Sequence, residues 1–270
     1  MTRKCWLMIM VVGLAAIAVV GCAASPATVE PVTLNVFAAA SLTEAFGEIG
    51  AQFEAQHPGV TVVFNFAGSN QLAQQINQGA PADVFASANR AQMDAAIAGG
   101  RIVSGTQQTF VRNRLVVIYP KDNPAGLAQL SDLAKPGVRV VFAAKEVPVG
   151  QYSLDFLDKA AADATLGDEF QAAVLANVVS YEENVRAVLS KVVLGEADAG
   201  IVYTSDITGS NAEQVGRIDI PDSLNTIATY PIATLVDSAH PDLAAAFVEL
   251  VLSAAGQDVL ARYGFIRAGE

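Results

Sequence analysis

Hydrophobic and polar positions along this chain follow two alternating periods. Val32, Leu34 and Val36 alternate with Thr33 and Asn35, which predicts a strand over 32–37. Leu42, Phe46, Ile49 and Phe53 then recur at helical spacing. Val60, Val62, Phe64 and Phe66 alternate again and predict a second strand. A helix over 69–78 carries Leu72 and Ile76 on one face, followed by a short strand over 83–87 and a helix over 88–98 that Gly99-Gly100 ends.

The alternation of types continues. Strands are predicted over 115–119 and 138–142, helices over 151–163 and 168–176, and a short strand over 178–180. A helix over 184–194 carries Val185, Val188, Leu189 and Val192 as one stripe. Strands over 199–203, 217–220 and 229–236 precede a final long helix marked by Leu243, Phe247, Leu250 and Val251. Strands alternating with helices predict an α/β fold with mostly parallel sheets. Two long extended stretches, 109–119 and 228–236, sit near the middle and the end, where two strands crossing between lobes would make a hinge.

The first residues follow neither period. Arg3 and Lys4 precede an apolar run over 6–20, then Gly21-Cys22. The run is short for a membrane span and has the flanks of a secretory signal. Its end resembles a bacterial lipobox, which implies cleavage after residue 21 and a lipid on Cys22. Residues 22–31 are small and Pro-containing and read as a tether. Cys5 lies inside the signal, so no cysteine remains for a disulfide, and an exported domain must rest on its core alone.

Charge narrows the function classes. The whole chain has 16 basic and 27 acidic side chains, and removing residues 1–21 with their two basic groups takes the net charge from −11 to −13. Bulk charge of that sign excludes nucleic acid and acidic lipid surfaces as electrostatic partners. An anionic ligand would have to be held by local groups.

Ligands of open α/β sheets bind beyond the carboxyl ends of strands. Five such junctions stand out. Ser41 follows the small run Ala38-Ala39-Ala40, and Ser41-Leu42-Thr43-Glu44 also fits a capping box, so Ser41 reads either as a helix cap or as a ligand group. Ser69 follows Ala67-Gly68 with the same two readings. Val149 lies in Val147-Pro148-Val149-Gly150-Gln151-Tyr152, a loop turn or an exposed stretch of backbone. Asn184 opens the valine-striped helix, either capping it or bracing a loop, and Tyr203 ends an apolar strand as a core tyrosine or a hydroxyl donor. Helix N-termini carry free N–H donors and about half a positive charge. Joined together, they form an anion site that requires no basic side chain.

At these junctions the sequence resembles the periplasmic molybdate-binding proteins. The resemblance rests on Phe37-Ala38-Ala39-Ala40-Ser41-Leu42-Thr43-Glu44, Gly68-Ser69-Asn70, Ala82-Asp83-Val84-Phe85-Ala86-Ser87, Val147-Pro148-Val149-Gly150-Gln151-Tyr152, Glu183-Asn184-Val185-Arg186 with the segment 195–203, and Arg262-Tyr263-Gly264-Phe265, in unbroken order over about 32–267. It implies a type II periplasmic-binding-protein fold of two lobes joined by two crossing strands, with lobe 1 over 32–112 and 233–270 and lobe 2 over 113–232. It implies a tetrahedral oxyanion, molybdate or tungstate, held by Ser41, Ser69, Val149, Val185 and Tyr203. Molybdenum would enter only inside that oxyanion, with no direct protein ligand and no other cofactor. It further implies a monomeric, extracytoplasmic lipoprotein that serves an ABC transporter permease, with no enzymatic activity. Val149 stands where the family usually has Ala, and Asn70 where it usually has a smaller residue.

Competing classes fare worse. A hydrolase lacks a G-x-S-x-G elbow, and both His57 and His240 precede proline, as at turns or helix boundaries. An adhesion module would leave the junctions as plain caps. Sulfate is the rival ligand, since it shares the charge and shape of molybdate and is smaller.

Overall fold

A computed structural model describes residues 31–269. The expected signal segment 1–21, the expected lipid site Cys22 and most of the expected tether lie outside the described residues. The chain starts with β1 (Val32–Ala39), α1 (Thr43–Gln56), β2 (Val60–Ala67), α2 (Ser69–Asn77), β3 (Val84–Ala86), α3 (Arg90–Ala98) and β4 (Gln108–Asn113). After Arg114 come β5 (Leu115–Pro120), β6 (Val140–Ala143), α4 (Pro148–Ala161), α5 (Phe170–Ala176), β7 (Val178–Glu182), α6 (Val185–Val193), β8 (Ala199–Tyr203) and β9 (Val215–Asp219). β10 (Ala228–Thr234), α7 (Pro241–Leu252), α8 (Ala254–Arg262) and β11 (Ile266–Arg267) complete it.

These strands form two sheets. One has the order β11-β4-β10-β3-β1-β2 and the other β7-β6-β8-β5-β9. Both are mixed, not mostly parallel. In the first, β1 pairs in parallel with β2 and β3; in the second, β6 pairs in parallel with β7 and β8. Antiparallel pairing enters with β4, β10 and β11 in one sheet and with β5 and β9 in the other. The chain passes between sheets at Arg114 and again between β9 and β10, and a strand arriving from the other sheet is not bound to the direction that a helical crossover imposes. β10 lies in the six-stranded sheet from Ala228 onward.

The apolar stripes read from the sequence face the sheets. Phe46 of α1 is fully buried and packs in a tilted pair with Phe110 of β4, centroids 5.8 Å apart, and edge-on with Phe247 of α7 at 5.9 Å. That packing brings the chain's last helices back onto its first, and truncation of such a phenylalanine costs on the order of 3–5 kcal/mol. The final helix is broken: α7 and α8 meet at 60°, and Ser253 closes the first while its hydroxyl caps the second through the Gly256 N–H. The described residues contain no cysteine, so this core has no covalent support.

Candidate functional site

The parallel strands of both sheets send their carboxyl ends into one cleft. The cleft holds about 210 Å³ of space free of protein atoms, part of it open solvent at its mouth. Ser41, Ser69, Val149, Val185 and Tyr203 all line it. No charged side chain lines it among the described residues.

Each wall is built by a strand end and the turn that follows. β1 runs into a 3₁₀ turn at Ala40–Leu42, which places Ser41 at the cleft. Ser41 does not cap α1; the cap position is Leu42, without a side-chain bond. The Ser41 hydroxyl lies instead 2.9 Å from that of Tyr230 on β10, and Thr43 donates back to the Ala40 carbonyl at 2.7 Å. The capping-box pattern at 41–44 is therefore unused. After β2, Ser69 is the first residue of α2, and its oxygen accepts the Ala88 N–H at 3.0 Å. Neither serine serves its own helix.

On the other sheet, α4 begins three residues before the helix predicted at 151, with Pro148 in its first turn. Val149 is thus a first-turn residue with no carbonyl one turn back to receive its N–H. Gly150 does not expose backbone, as the sequence suggested. A Cβ there would stand 2.0 Å from the Ala144 carbonyl, so glycine lets α4 close on the end of β6. Asn184 caps α6, its oxygen accepting the Ala187 N–H at 3.0 Å, which leaves Val185 as the first helical N–H. Tyr203 ends β8, is 1% exposed, and its hydroxyl has no hydrogen-bond partner among the described residues.

The walls touch. A Cβ on Gly68 would stand 2.6 Å from the Glu183 carbonyl across the cleft, so only glycine permits this approach. Arg186 of α6 donates to the Ala40 carbonyl at 3.3 Å, pairs with Glu44, and lies 3.6 Å from the buried Asp206. Gln71 reaches Glu183 at 3.3 Å.

This geometry gathers the amino ends of α2, α4 and α6 with the 3₁₀ turn around one small neutral cavity. It offers donors and few acceptors, the complement of an anion. The family model of bacterial extracellular solute-binding proteins matches residues 34–266. The chain belongs to this family. Among solute-binding relatives, it is 41% identical over 235 residues to the molybdate-binding protein ModA of Mycobacterium tuberculosis, covering 87% of this chain and 85% of that one. It is 35% identical over 238 residues to molybdate-binding protein ModA of Escherichia coli, covering 86% of this chain and 88% of that one. The solved periplasmic molybdate-binding protein of Azotobacter vinelandii matches with a TM-score of 0.74 at 21% identity, over 86% of this chain and 98% of that one, and shares the fold. Named relatives in the family are solute-binding proteins of transport and not enzymes, and among the described residues no cluster of His, Cys, Asp and Glu could hold a metal.

Burial sets the site's electrostatics. It pushes the Tyr203 hydroxyl well above its ordinary pKa, so this group stays a neutral donor. Asp206 is pushed up to about 6, because its burial outweighs the nearby Arg186 and the Tyr203 N–H it accepts at 2.9 Å. Two residues of this region went unread in the sequence: Tyr230, fully buried behind Ser41, and Asn113, fully buried at the end of β4. The available signal was weak: each of the two long extended stretches holds several polar residues, and nothing in the pattern sets Asn113 or Tyr230 apart from them.

Proposed function

We propose that this protein captures molybdate in the cleft and delivers it to the permease of an ABC transporter. The observation that carries this reading is the convergence of Ser41, Ser69, Tyr203 and three helix amino ends on a small cavity without a charged lining residue. A fully deprotonated, doubly charged oxyanion accepts hydrogen bonds and donates none, and a wall of neutral donors leaves no acceptor facing it. Ser41, Ser69 and Tyr203 would donate through hydroxyls, and Val149 and Val185 through backbone N–H groups. The relatives' molybdate binding supports the same choice. Tungstate, with the same shape and charge, would use the same donors. The molybdenum atom would stay inside its oxygen shell, out of reach of protein ligands, and no cofactor would be required.

The lipid anchor on Cys22 belongs to this reading, as does action as a monomer. The anion would meet one lobe first, through Ser41 and Ser69, and closure of the other would bring Val149, Val185 and Tyr203. Binding favours the closed state only through its differential affinity for that state.

Titration calorimetry of the chain starting after Cys22 with molybdate, tungstate, sulfate and phosphate tests the proposal. Trp6 is the only tryptophan, so intrinsic tryptophan fluorescence of that form would be silent. Tight binding of molybdate and tungstate with weak sulfate binding is expected. Tight sulfate binding would keep the site and replace the ligand, and no binding of any of the four would overturn the anion reading.

A further inference from the structure

Tyr230 and Asn113 form a buried polar chain that ends on Ser41. The direction of its hydrogens follows from groups that can only donate. The Asn113 side-chain oxygen accepts the Arg114 backbone N–H at 3.0 Å and the Thr204 hydroxyl at 2.9 Å. A backbone N–H cannot accept, so this end of the amide is the oxygen. The Asn113 nitrogen then faces Ser205 at 2.8 Å and the Tyr230 hydroxyl at 3.4 Å, and donates to both. Tyr230 is 0% exposed, and its hydroxyl oxygen lies 2.9 Å from that of Ser41. If Ser41 donated to Tyr230, the phenolic hydrogen would have only the neighbouring Tyr203 hydroxyl to turn to, and the geometry between these two edge-on tyrosines makes no hydrogen bond; an unmade buried hydrogen bond is the costly case. Tyr230 therefore donates to Ser41.

We propose that Tyr230 is a positioning and specificity-determining residue: by donating to Ser41 it occupies one of that oxygen's two lone pairs and so favours the rotamer that turns the serine hydrogen toward the cleft, and Asn113 at the crossing between the sheets holds Tyr230 in that role. Ser69 is set the same way by the Ala88 N–H. Both serines are thereby biased toward donating before any ligand arrives. The difference is that a side chain sets Ser41, so one substitution can release it. A released Ser41 can rotate and accept, and the site then tolerates an oxyanion that carries a proton. The inference rests on the reading that Ser41 contacts the oxyanion.

The experiment is calorimetry with molybdate and with phosphate, at mildly alkaline pH where phosphate keeps one proton and molybdate none, on wild type, Tyr230→Phe, Ser41→Ala and the double variant. Tyr230→Phe is expected to weaken molybdate binding about tenfold, the scale of one misdirected charge-assisted hydrogen bond, and to lower the molybdate-to-phosphate affinity ratio by at least as much. In the Ser41→Ala background it should change molybdate affinity by less than about twofold, because the group it orients is gone. Melting curves report whether the variant folds, and Asn113→Ala, run through the same cycle, gives a second route with a smaller loss of about threefold. An unchanged affinity in Tyr230→Phe, or an equal loss with and without Ser41, overturns the proposal. If wild type binds no oxyanion, or Ser41→Ala is harmless, the site reading fails and takes this proposal with it. Loss in Ser41→Ala with none in Tyr230→Phe removes only the role of Tyr230.

Discussion

On the six-stranded side of the cleft both serine hydroxyls already have partners, Tyr230 for one and the Ala88 N–H for the other. On the five-stranded side the Tyr203 hydroxyl is buried with none among the described residues, and Val149 and Val185 present first-turn N–H groups. One wall is polarised in advance. The other holds a polar group whose burial is unfavourable until something accepts from it. Taken with the proposed ligand, the difference suggests a division of labour: the first wall sets which anion fits, and the second makes closure depend on having one.

The largest effect expected from breaking this arrangement is on the polarised wall. Ser41→Ala together with Ser69→Ala should weaken molybdate binding by more than about 2 kcal/mol, since each removes a hydrogen bond to a charged acceptor worth about 1.5–3 kcal/mol. Unchanged affinity by calorimetry would remove both serines from the site.

Behind the second wall, Asp206 gives an effect of similar size on stability. Its pKa of about 6 in the fold lies above the model-peptide value of 3.8, so the folded protein holds a proton that the unfolded chain releases between those values. Stability therefore falls as pH rises from about 4 to about 6, by up to about 3 kcal/mol. Asp206→Asn should abolish that fall in urea titrations across this range, and a fall that persists would place its origin elsewhere.

Tyr203→Phe separates the two roles of one hydroxyl. It should cost about 1.5 kcal/mol of anion affinity while raising the melting temperature of the ligand-free protein, because an orphaned buried donor is removed. A lower ligand-free melting temperature would show that the hydroxyl is satisfied without ligand. The smallest effect belongs to the contact between walls. Arg186→Lys keeps one charge but loses the forked reach to Ala40, Glu44 and Asp206, and the pair with Glu44 is partly exposed, so a loss under about 1 kcal/mol that shrinks with added salt is expected. A larger loss in ligand binding would make this arginine central to closure.

Much of the fold was legible because burial imposes a period. The stripe Val185, Val188, Leu189, Val192 predicts its helix, and the alternation at 32–37 predicts its strand. What failed to show was direction and breakage. In the 109–119 stretch the polar run Arg112-Asn113-Arg114 falls where the chain leaves one sheet for the other, but extended residues flank it on both sides and nothing in the pattern says that the pairing partners change there, while Ser253 interrupts a helix whose apolar pattern runs on past it. At the site, Ser41 and Ser69 were visible as small polar residues at strand ends, yet their partners were not. Ser41 meets Tyr230, 189 positions away, and Ser69 meets Ala88, 19 away. A capping box and a ligand serine look alike in sequence, because what separates them is which distant donor reaches the oxygen. Gly150 was misread for the same reason, its neighbour being a carbonyl of the preceding strand.

The neutral lining of the cleft has a kinetic consequence. A site that holds its ligand with dipoles has no countercharge to be screened, so escape of a bound anion should hardly respond to ionic strength. Arrival is a different matter. The chain carries a net charge of −11, and a doubly charged anion approaches against that field. Added salt shortens the range of the repulsion, so association should quicken with ionic strength while dissociation stays flat. Most charge-steered ligand capture behaves the opposite way, and stopped-flow measurements at two salt concentrations would tell the two apart.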